Sequence, residues 1–195
     1  MTTKDRRQRE RAARRRLIIT TARKLAEAEG WDAVTTRRLS TEIEYSQPVL
    51  YKHFAGMEQI AEAVAIDGFA EFADVCCAAS AGAGTASDAL TRIAHAYLEF
   101  ARDSAAVYDA MFTRATTLRF ADQDTPPQLE AAFAGLRQAV GLAADERDAD
   151  TLTEVFWAAL QGLVTLTRTG RLSPGYDSDR LQLLVDEFTS RREKR

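Results

Sequence analysis

An all-α fold of about nine helices is expected, because apolar residues recur at helical spacing through nearly the whole chain and nowhere alternate like a strand. Two further features agree. The 195 residues include only 4 Pro and 10 Gly, too few for a turn-rich β fold. The longest apolar runs are only a few residues, so no membrane span is expected. The N-terminus is basic but lacks the apolar core of a secretion signal. A globular, cytoplasmic chain is the expectation, with no membrane partner.

The elements follow in order. Ala13, Leu17, Ala22 and Leu25 share one stripe of a first helix, with Ile18 beside it, and Gly30 closes it. Val34, Leu39 and Ile43 mark a short second helix. Leu50 and Phe54 belong to a third, and Ile60, Val64 and Phe72 to a longer fourth. Gly82, Gly84, Thr85 and Ser87 break the pattern. Leu90, Ile93, Ala94, Tyr97, Leu98 and Ala101 then form a strong amphipathic stripe, followed by a shorter helix with Tyr108, Met111 and Phe112.

A second loop is expected over Asp122 to Pro127. Thr125-Pro126-Pro127-Gln128 reads as a helix start, with a Thr cap, Pro at the first helical position and Gln at the capping-box position. Leu129, Ala132, Phe133, Leu136 and Val140 recur on one face of that helix. The last two helices, about 149–169 and 178–191, are the most apolar. Thr151 and Glu154 have capping-box spacing, with Asp148 and Asp150 as alternative caps. Leu152, Val155, Phe156, Ala159, Leu163 and Leu166 form a stripe that Trp157, Leu160 and Val164 widen. Such a helix must be covered on more than one side. Leu181, Leu184, Val185 and Phe188 make the final stripe, and the tail from Ser190 to Arg195 is expected to fray.

Charge divides the chain. The formal net charge is −3, yet residues 1–56 carry 13 Lys/Arg against 7 Asp/Glu, and residues 57–195 carry 13 against 22. Within residues 1–24, 10 basic side chains face only Asp5 and Glu10. A basic head on an acidic body points to a polyanion for the head alone. Charge thus sets a basic head with its arm over 1–56 apart from an acidic body over 57–195. The Arg-rich start reads equally as a mobile arm lying in a DNA groove and as a solvated extension of the first helix.

Helices two and three are short and close together, as in a helix-turn-helix. The second would enter the major groove and present its early residues to base edges. Ser46 is the expected cap, and Pro48 is tolerated in the first turn, where its missing N–H costs nothing. Leu39, Ile43, Leu50 and Phe54 would hold the unit from behind. The run from Val34 to Phe54, with Thr35-Thr36-Arg37-Arg38-Leu39 and Leu50-Tyr51-Lys52-His53-Phe54, resembles the DNA-binding head of the TetR family of transcriptional repressors. Two positions depart from that family's pattern. Glu44 stands where Gly is usual, so a positive φ there would be strained. Met57 stands where a phosphate-binding Lys is common.

The resemblance implies DNA-facing roles for Thr36, Arg37, Arg38, Ser46, Gln47, Pro48, Val49, Tyr51, Lys52 and His53. Thr36 would bond a phosphate. Arg37 or Arg38 would reach a guanine while the other turns to solvent, with Arg37 favoured. Gln47 would read a purine edge, and Pro48 and Val49 would touch thymine methyl groups. Tyr51, Lys52 and His53 would sit on the backbone.

A single short recognition helix calls for a homodimer on a pseudo-palindromic site. The last two helices are the natural dimer face, with Gly162 allowing close approach; the alternative is burial within the monomer. Tyr97, Phe100, Tyr108, Met111, Phe112, Phe133, Phe156, Trp157, Leu160 and Gln161 are candidate ligand-lining residues, and each also reads as ordinary core. Tyr97 to Ala101, Tyr108, Met111-Phe112 and Trp157 with Gln161-Gly162 resemble a TetR C-terminal subgroup marked by Trp and a His-Gly pair, here with Gln161 in place of the His. The resemblance implies a small-molecule effector that prefers a state with wrongly spaced heads. Cys76 and Cys77 read as small apolar filling. No metal, cofactor or catalytic constellation is expected. The expected protein is a ligand-released repressor; a ligand-independent regulator, an activator and a small helical enzyme are the alternatives.

Overall fold

The computed structural model describes residues 3–114, 118 and 125–190. Among them it has nine α-helices and no strand, as expected. They are α1 (Thr3–Glu29), α2 (Thr36–Glu42), α3 (Gln47–Tyr51), α4 (Met57–Ser80), α5 (Ala86–Asp103), α6 (Ala105–Asp109), α7 (Pro127–Gly141), α8 (Ala149–Arg168) and α9 (Asp177–Thr189). A 3-10 turn spans Trp31–Ala33, and α6 runs on into a π-helical turn over Ala110–Arg114. No described helix is long and apolar enough to cross a membrane. The expected loop residues Asp122, Gln123 and Asp124, and the tail beyond Ser190, lie outside the described residues.

Two compact units emerge. One combines residues 1–69 with 104–126; the other combines 70–103 with 127–195. Compactness divides the chain inside α4 and assigns α6 to the same unit as residues 1–69.

In the first unit, α1 reaches back to Thr3, so the Arg-rich start is a helical extension with exposed side chains. Its inner face differs from the expected stripe. Ile18 and Ala22 are wholly buried and Leu25 and Ala26 nearly so, whereas Leu17 is 43% exposed and Ala13 is exposed. The reason is angular: 18, 22 and 25 follow the helical repeat, and Leu17 sits about 100° off it. Trp31, Val34, Leu39, Ile43, Leu50, Phe54, Ile60 and Val64 complete the head's core.

The α6–π segment after Ser104, Ala105–Arg114, is tied to α1. Both Glu27 carboxylate oxygens accept backbone N–H groups of α6, from Ala106 at 3.0 Å and Val107 at 3.1 Å. These are donors that a helix start leaves without intrahelical partners, and Ser104 supplies no side-chain cap. Trp31 Nε1 donates to the Ala106 carbonyl at 2.8 Å. The Arg114 guanidinium lies 5.4 Å from the Trp31 ring and 3.9 Å from Asp32. On the α4 side, a Cβ on Gly68 would stand 2.4 Å from Val107 Cγ1 and 2.9 Å from Met111 Sδ, so only Gly permits this approach.

In the second unit, α7, α8 and α9 pack around α5. Thr85 and Asp88 cap α5 reciprocally: Asp88 N–H donates to the Thr85 hydroxyl and Gly84 N–H to the Asp88 carboxylate. Asp148 is the cap of α8, accepting from Thr151 N–H at 2.8 Å, which decides among the three candidate caps. Helix α7 begins at Pro127, one residue later than its sequence signature implies. Cys76 is buried where α4 meets α7; a Cβ on Gly135 would come within 2.8 Å of it. Burial pushes its thiol up to about 12, consistent with filling and not with redox chemistry.

Candidate nucleic-acid interface

Helices α2 and α3 form a helix-turn-helix because the local chemistry leaves few alternatives. Thr35 caps α2 by accepting Arg38 N–H at 3.1 Å. Helix α2 ends at Glu42, and Glu44 then takes φ 55, a left-handed conformation unusual for a residue with a Cβ. The strain anticipated at this position is present. Ser46 occupies the N-cap position of α3 with extended backbone, but its hydroxyl makes no capping bond; here the sequence reading needs correction. The Pro48 ring, in the first turn, stiffens the helix start instead.

Helix α3 turns Leu50 inward and its polar residues out. Leu50 and, just beyond the helix, Phe54 are each 2% exposed, while Tyr51 is 52% exposed. Gln47, Pro48 and Lys52 are also exposed, and Val49, His53 and Thr36 are half-buried. An exposed Tyr beside a buried Leu and Phe is not a core residue; its ring is available to a partner. Arg37 is exposed, and among the described residues no carboxylate pairs with it. Arg38 is not free. It bridges Glu29 and Glu42, each at 3.1 Å, and two carboxylates oppose its use on a phosphate or a guanine. Of the two arginines, Arg38 is the one with carboxylate partners in the free protein.

His53 closes the helix-turn-helix against α1. Arg15 donates to the His53 carbonyl at 3.0 Å and stacks over Phe54, 4.1 Å from the ring centre. The imidazole Nδ1 is enclosed and has no hydrogen-bond partner. Burial first, then the cations Arg11, Arg14, Arg15 and Lys52, hold its pKa below the ordinary 6.5.

The expected ligand residues fall in both units. Tyr108, Met111 and Phe112 lie on the α6–π segment, where the Tyr108 and Phe112 rings meet at 4.8 Å and Phe112 packs edge-on to Phe69 at 5.5 Å. In the second unit, Trp157 Nε1 donates to the Tyr97 hydroxyl at 3.2 Å. Phe72 meets Tyr97 edge-on and Phe100 at a tilt, at 5.2 and 5.4 Å. Phe100, Phe133, Trp157 and Gln161 are half-buried. Phe156 and Leu160 are wholly buried, Phe156 against Phe188 at 5.0 Å, so core packing accounts for these two. Glu27, Trp31 and Gly68 had no place in the sequence reading, and Arg15 entered it only as one member of the Arg-rich start; the Trp directly after the Gly30 helix stop was the one signal of an anchor.

Comparison with known proteins agrees with this geometry. Residues 18–64 match the family described as bacterial regulatory proteins, tetR family. Residues 90–188 match the tetracyclin repressor-like C-terminal domain. An uncharacterized HTH-type transcriptional regulator of Mycobacterium tuberculosis (strain ATCC 25618 / H37Rv), Rv0681, is 31% identical over 162 residues, 80% of this chain and 71% of its own length. YobS of Bacillus subtilis (strain 168), also an uncharacterized HTH-type transcriptional regulator, is 30% identical over 95 residues, and the match spans 49% of each protein.

Solved structures share the fold. A protein of unknown function from Rhodococcus sp. RHA1 superposes with TM-score 0.71 at 23% identity, covering 90% of this chain and 93% of that one. The regulator FadR from Bacillus subtilis, solved with stearoyl-CoA, gives 0.64 at 12% identity, covering 87% and 96%. The two family matches, the M. tuberculosis relative and the exposed polar face of α3 lead to one conclusion: the chain belongs to the TetR family of transcriptional regulators, and α2–α3 is its DNA-binding helix-turn-helix.

Proposed function

We propose that this regulator is a cytoplasmic homodimeric repressor that leaves a pseudo-palindromic operator when a small, mostly apolar effector binds. The observation that carries the reading is the outward set on α3. Gln47 and Pro48 open the helix toward base edges, and Tyr51 and Lys52 end it toward the backbone. Arg37 and Thr36 extend that set from α2, and Val49 and His53 flank it.

Dimerisation is supported by the apolar faces of α8 and α9. Val155, Leu166 and Leu183 are 54%, 37% and 67% exposed. Val155, Ala159, Gly162 and Leu166 share one face at helical spacing, and open space surrounds the position a Gly162 Cβ would take. Contiguous exposed apolar residues of this kind fit a partner surface. An effector reading is supported by the half-buried Phe100, Phe133, Trp157 and Gln161 beside the Tyr97–Trp157 hydrogen bond. Apolar walls with a few polar anchors suit a small ligand. FadR, a distant relative in sequence, holds an acyl-CoA on the same fold.

The test is selection of duplexes from a random pool by the full-length protein, repeated with a panel of metabolites. A recovered inverted repeat that Gln47→Ala binds more weakly by roughly 1–3 kcal/mol, with random-duplex affinity unchanged, supports the reading. Recovery of no shared sequence, or equal loss on both duplexes, refutes it.

A further inference from the structure

We propose that Arg15 is a positioning residue for DNA recognition: it braces the end of α3 against α1 and so sets the angle at which Gln47 and Tyr51 are presented. The inference rests on the DNA-binding reading of the head and gives Arg15 a role that needs no contact with DNA.

The need for a brace follows from the size of α3. It has five residues, Gln47–Tyr51, and an isolated helix below about 12 residues is marginal at best, because its first turn fixes several residues for one hydrogen bond. At its start the Ser46 hydroxyl makes no capping bond. Leu50 and Phe54, each 2% exposed, seat it on the core. Two anchors four residues apart lie close to one line along a helix, and rotation about that line stays open. A contact to a neighbouring residue is needed to fix the angle.

Arg15 makes that contact. It stands three, seven and ten residues before Ile18, Ala22 and Leu25, so it continues the buried stripe of α1 one turn toward the N-terminus. Its Nη1 donates to the His53 carbonyl at 3.0 Å, and its guanidinium lies over the Phe54 ring, 4.1 Å from the centre. One planar group thus grips two successive residues just past α3. The grip reaches the helix itself, because the His53 and Phe54 N–H groups donate back to the Leu50 carbonyl at 2.9 and 3.0 Å. Carbonyls at a helix C-terminus lack intrahelical partners, and the backbone dipoles there favour a cation. A Lys carries the charge but not both contacts, since only a planar fork stacks and donates together.

Arg15 is exposed, so the rival role is a phosphate contact, and salt separates the two. Arg15→Lys and Arg15→Met are compared with Arg16→Met, which removes the next arginine about 100° round α1. Fluorescence anisotropy across salt concentrations is measured on the duplex that the wild-type protein selects from a random pool and on a random duplex. Both Arg15 variants are expected to lower the ratio of selected to random affinity by about tenfold per dimer, part of what base contacts contribute in two subunits. The slope of log affinity against log salt should stay within about 0.3 units per subunit of wild type. In the free protein, hydrogen exchange of residues 49–54 should quicken by about fivefold or more, with α4 and α8 unchanged. Arg16→Met should alter neither the ratio nor the exchange.

A slope lowered by about 0.9 units per subunit in Arg15→Met and restored in Arg15→Lys would make Arg15 a phosphate contact and overturn the brace. A wild-type ratio with wild-type exchange in Arg15→Met would overturn it too. So would faster exchange throughout the chain, which marks lost stability and not lost positioning. If the wild-type protein selects no shared duplex, the DNA-binding reading of α3 falls, while the exchange of residues 49–54 still decides whether Arg15 holds that helix.

Discussion

Glu27 offers the sharpest test of how the head is held together. Among the described residues, its carboxylate is the only partner of the Ala106 and Val107 N–H groups at the start of α6, at 3.0 and 3.1 Å. Both donors belong to residues with little solvent access. A hydrogen bond to a charged group is worth about 1.5–3 kcal/mol, and loss of a helix cap costs about 0.5–2 kcal/mol. Glu27 itself is exposed, so water re-solvates part of what truncation frees and the lower ends apply. Glu27→Ala is therefore expected to cost about 2 kcal/mol. Glu27→Gln keeps one acceptor oxygen and is expected to cost about 1 kcal/mol.

For a chain of this size each kcal/mol lowers Tm by about 2–4 °C. Thermal unfolding followed by circular dichroism should then place the Ala variant about 4–8 °C below wild type, with Gln midway. An Ala variant within about 1 °C of wild type would refute the capping role. So would a Gln variant as unstable as Ala, because side-chain packing and not hydrogen bonding would then be the cause.

Three further predictions bear on neighbouring parts of the same unit. Gly68→Ala drives a methyl group into Val107 and Met111 and should destabilise by about 1–3 kcal/mol in urea unfolding; a neutral result would mean that α6 shifts freely. Glu44→Gly relieves the positive φ, worth about 1–2 kcal/mol, against an entropic cost of about 0.5–1 kcal/mol. The expected net is a gain of up to about 1 kcal/mol by the same assay, and a loss would show that the Glu44 side chain stabilises the turn. His53 has a lowered pKa in the free protein, so the fold gives up stability as pH falls from 6.5 through that lowered value. DNA phosphate beside the ring acts in the opposite sense, raising the pKa against Arg7, Arg11, Arg14, Arg15 and Lys52, with Glu10 the nearby carboxylate. Binding thus takes up a proton, and affinity should rise as pH falls from 8 to 6, by at most about tenfold per unit. A flat profile, or the same slope in His53→Gln, would contradict this.

What was legible in the sequence was local. The helix-turn-helix depends on Pro48 in the first turn and on Leu39, Ile43, Leu50 and Phe54 at fixed offsets, and all of these act within 20 residues of each other. The strain at Glu44 followed from one position in one turn. Arg38 carried its own warning, because Glu42 stands at i+4, a spacing that favours an ion pair on the helix over a role in DNA. The α1 stripe failed by one residue, since Leu17 and Ile18 are equally apolar and only the rest of the head decides which of them faces it.

The connection between α1 and α6 was not legible, and the reason is physical. Glu27 meets its partners 79 and 80 residues along the chain, and a surface-type Glu on a charged helix has no local feature that marks it as a cap for another helix. Gly68 is equally silent in the sequence, since a helical Gly gains meaning only when a neighbour presses against it. Both residues hold the segment that carries Tyr108 and Met111. A ligand that moves that segment must bind the displaced arrangement better than the clamped one by more than the clamp contributes. A release that works through this segment would therefore depend on two residues whose importance only the folded chain reveals.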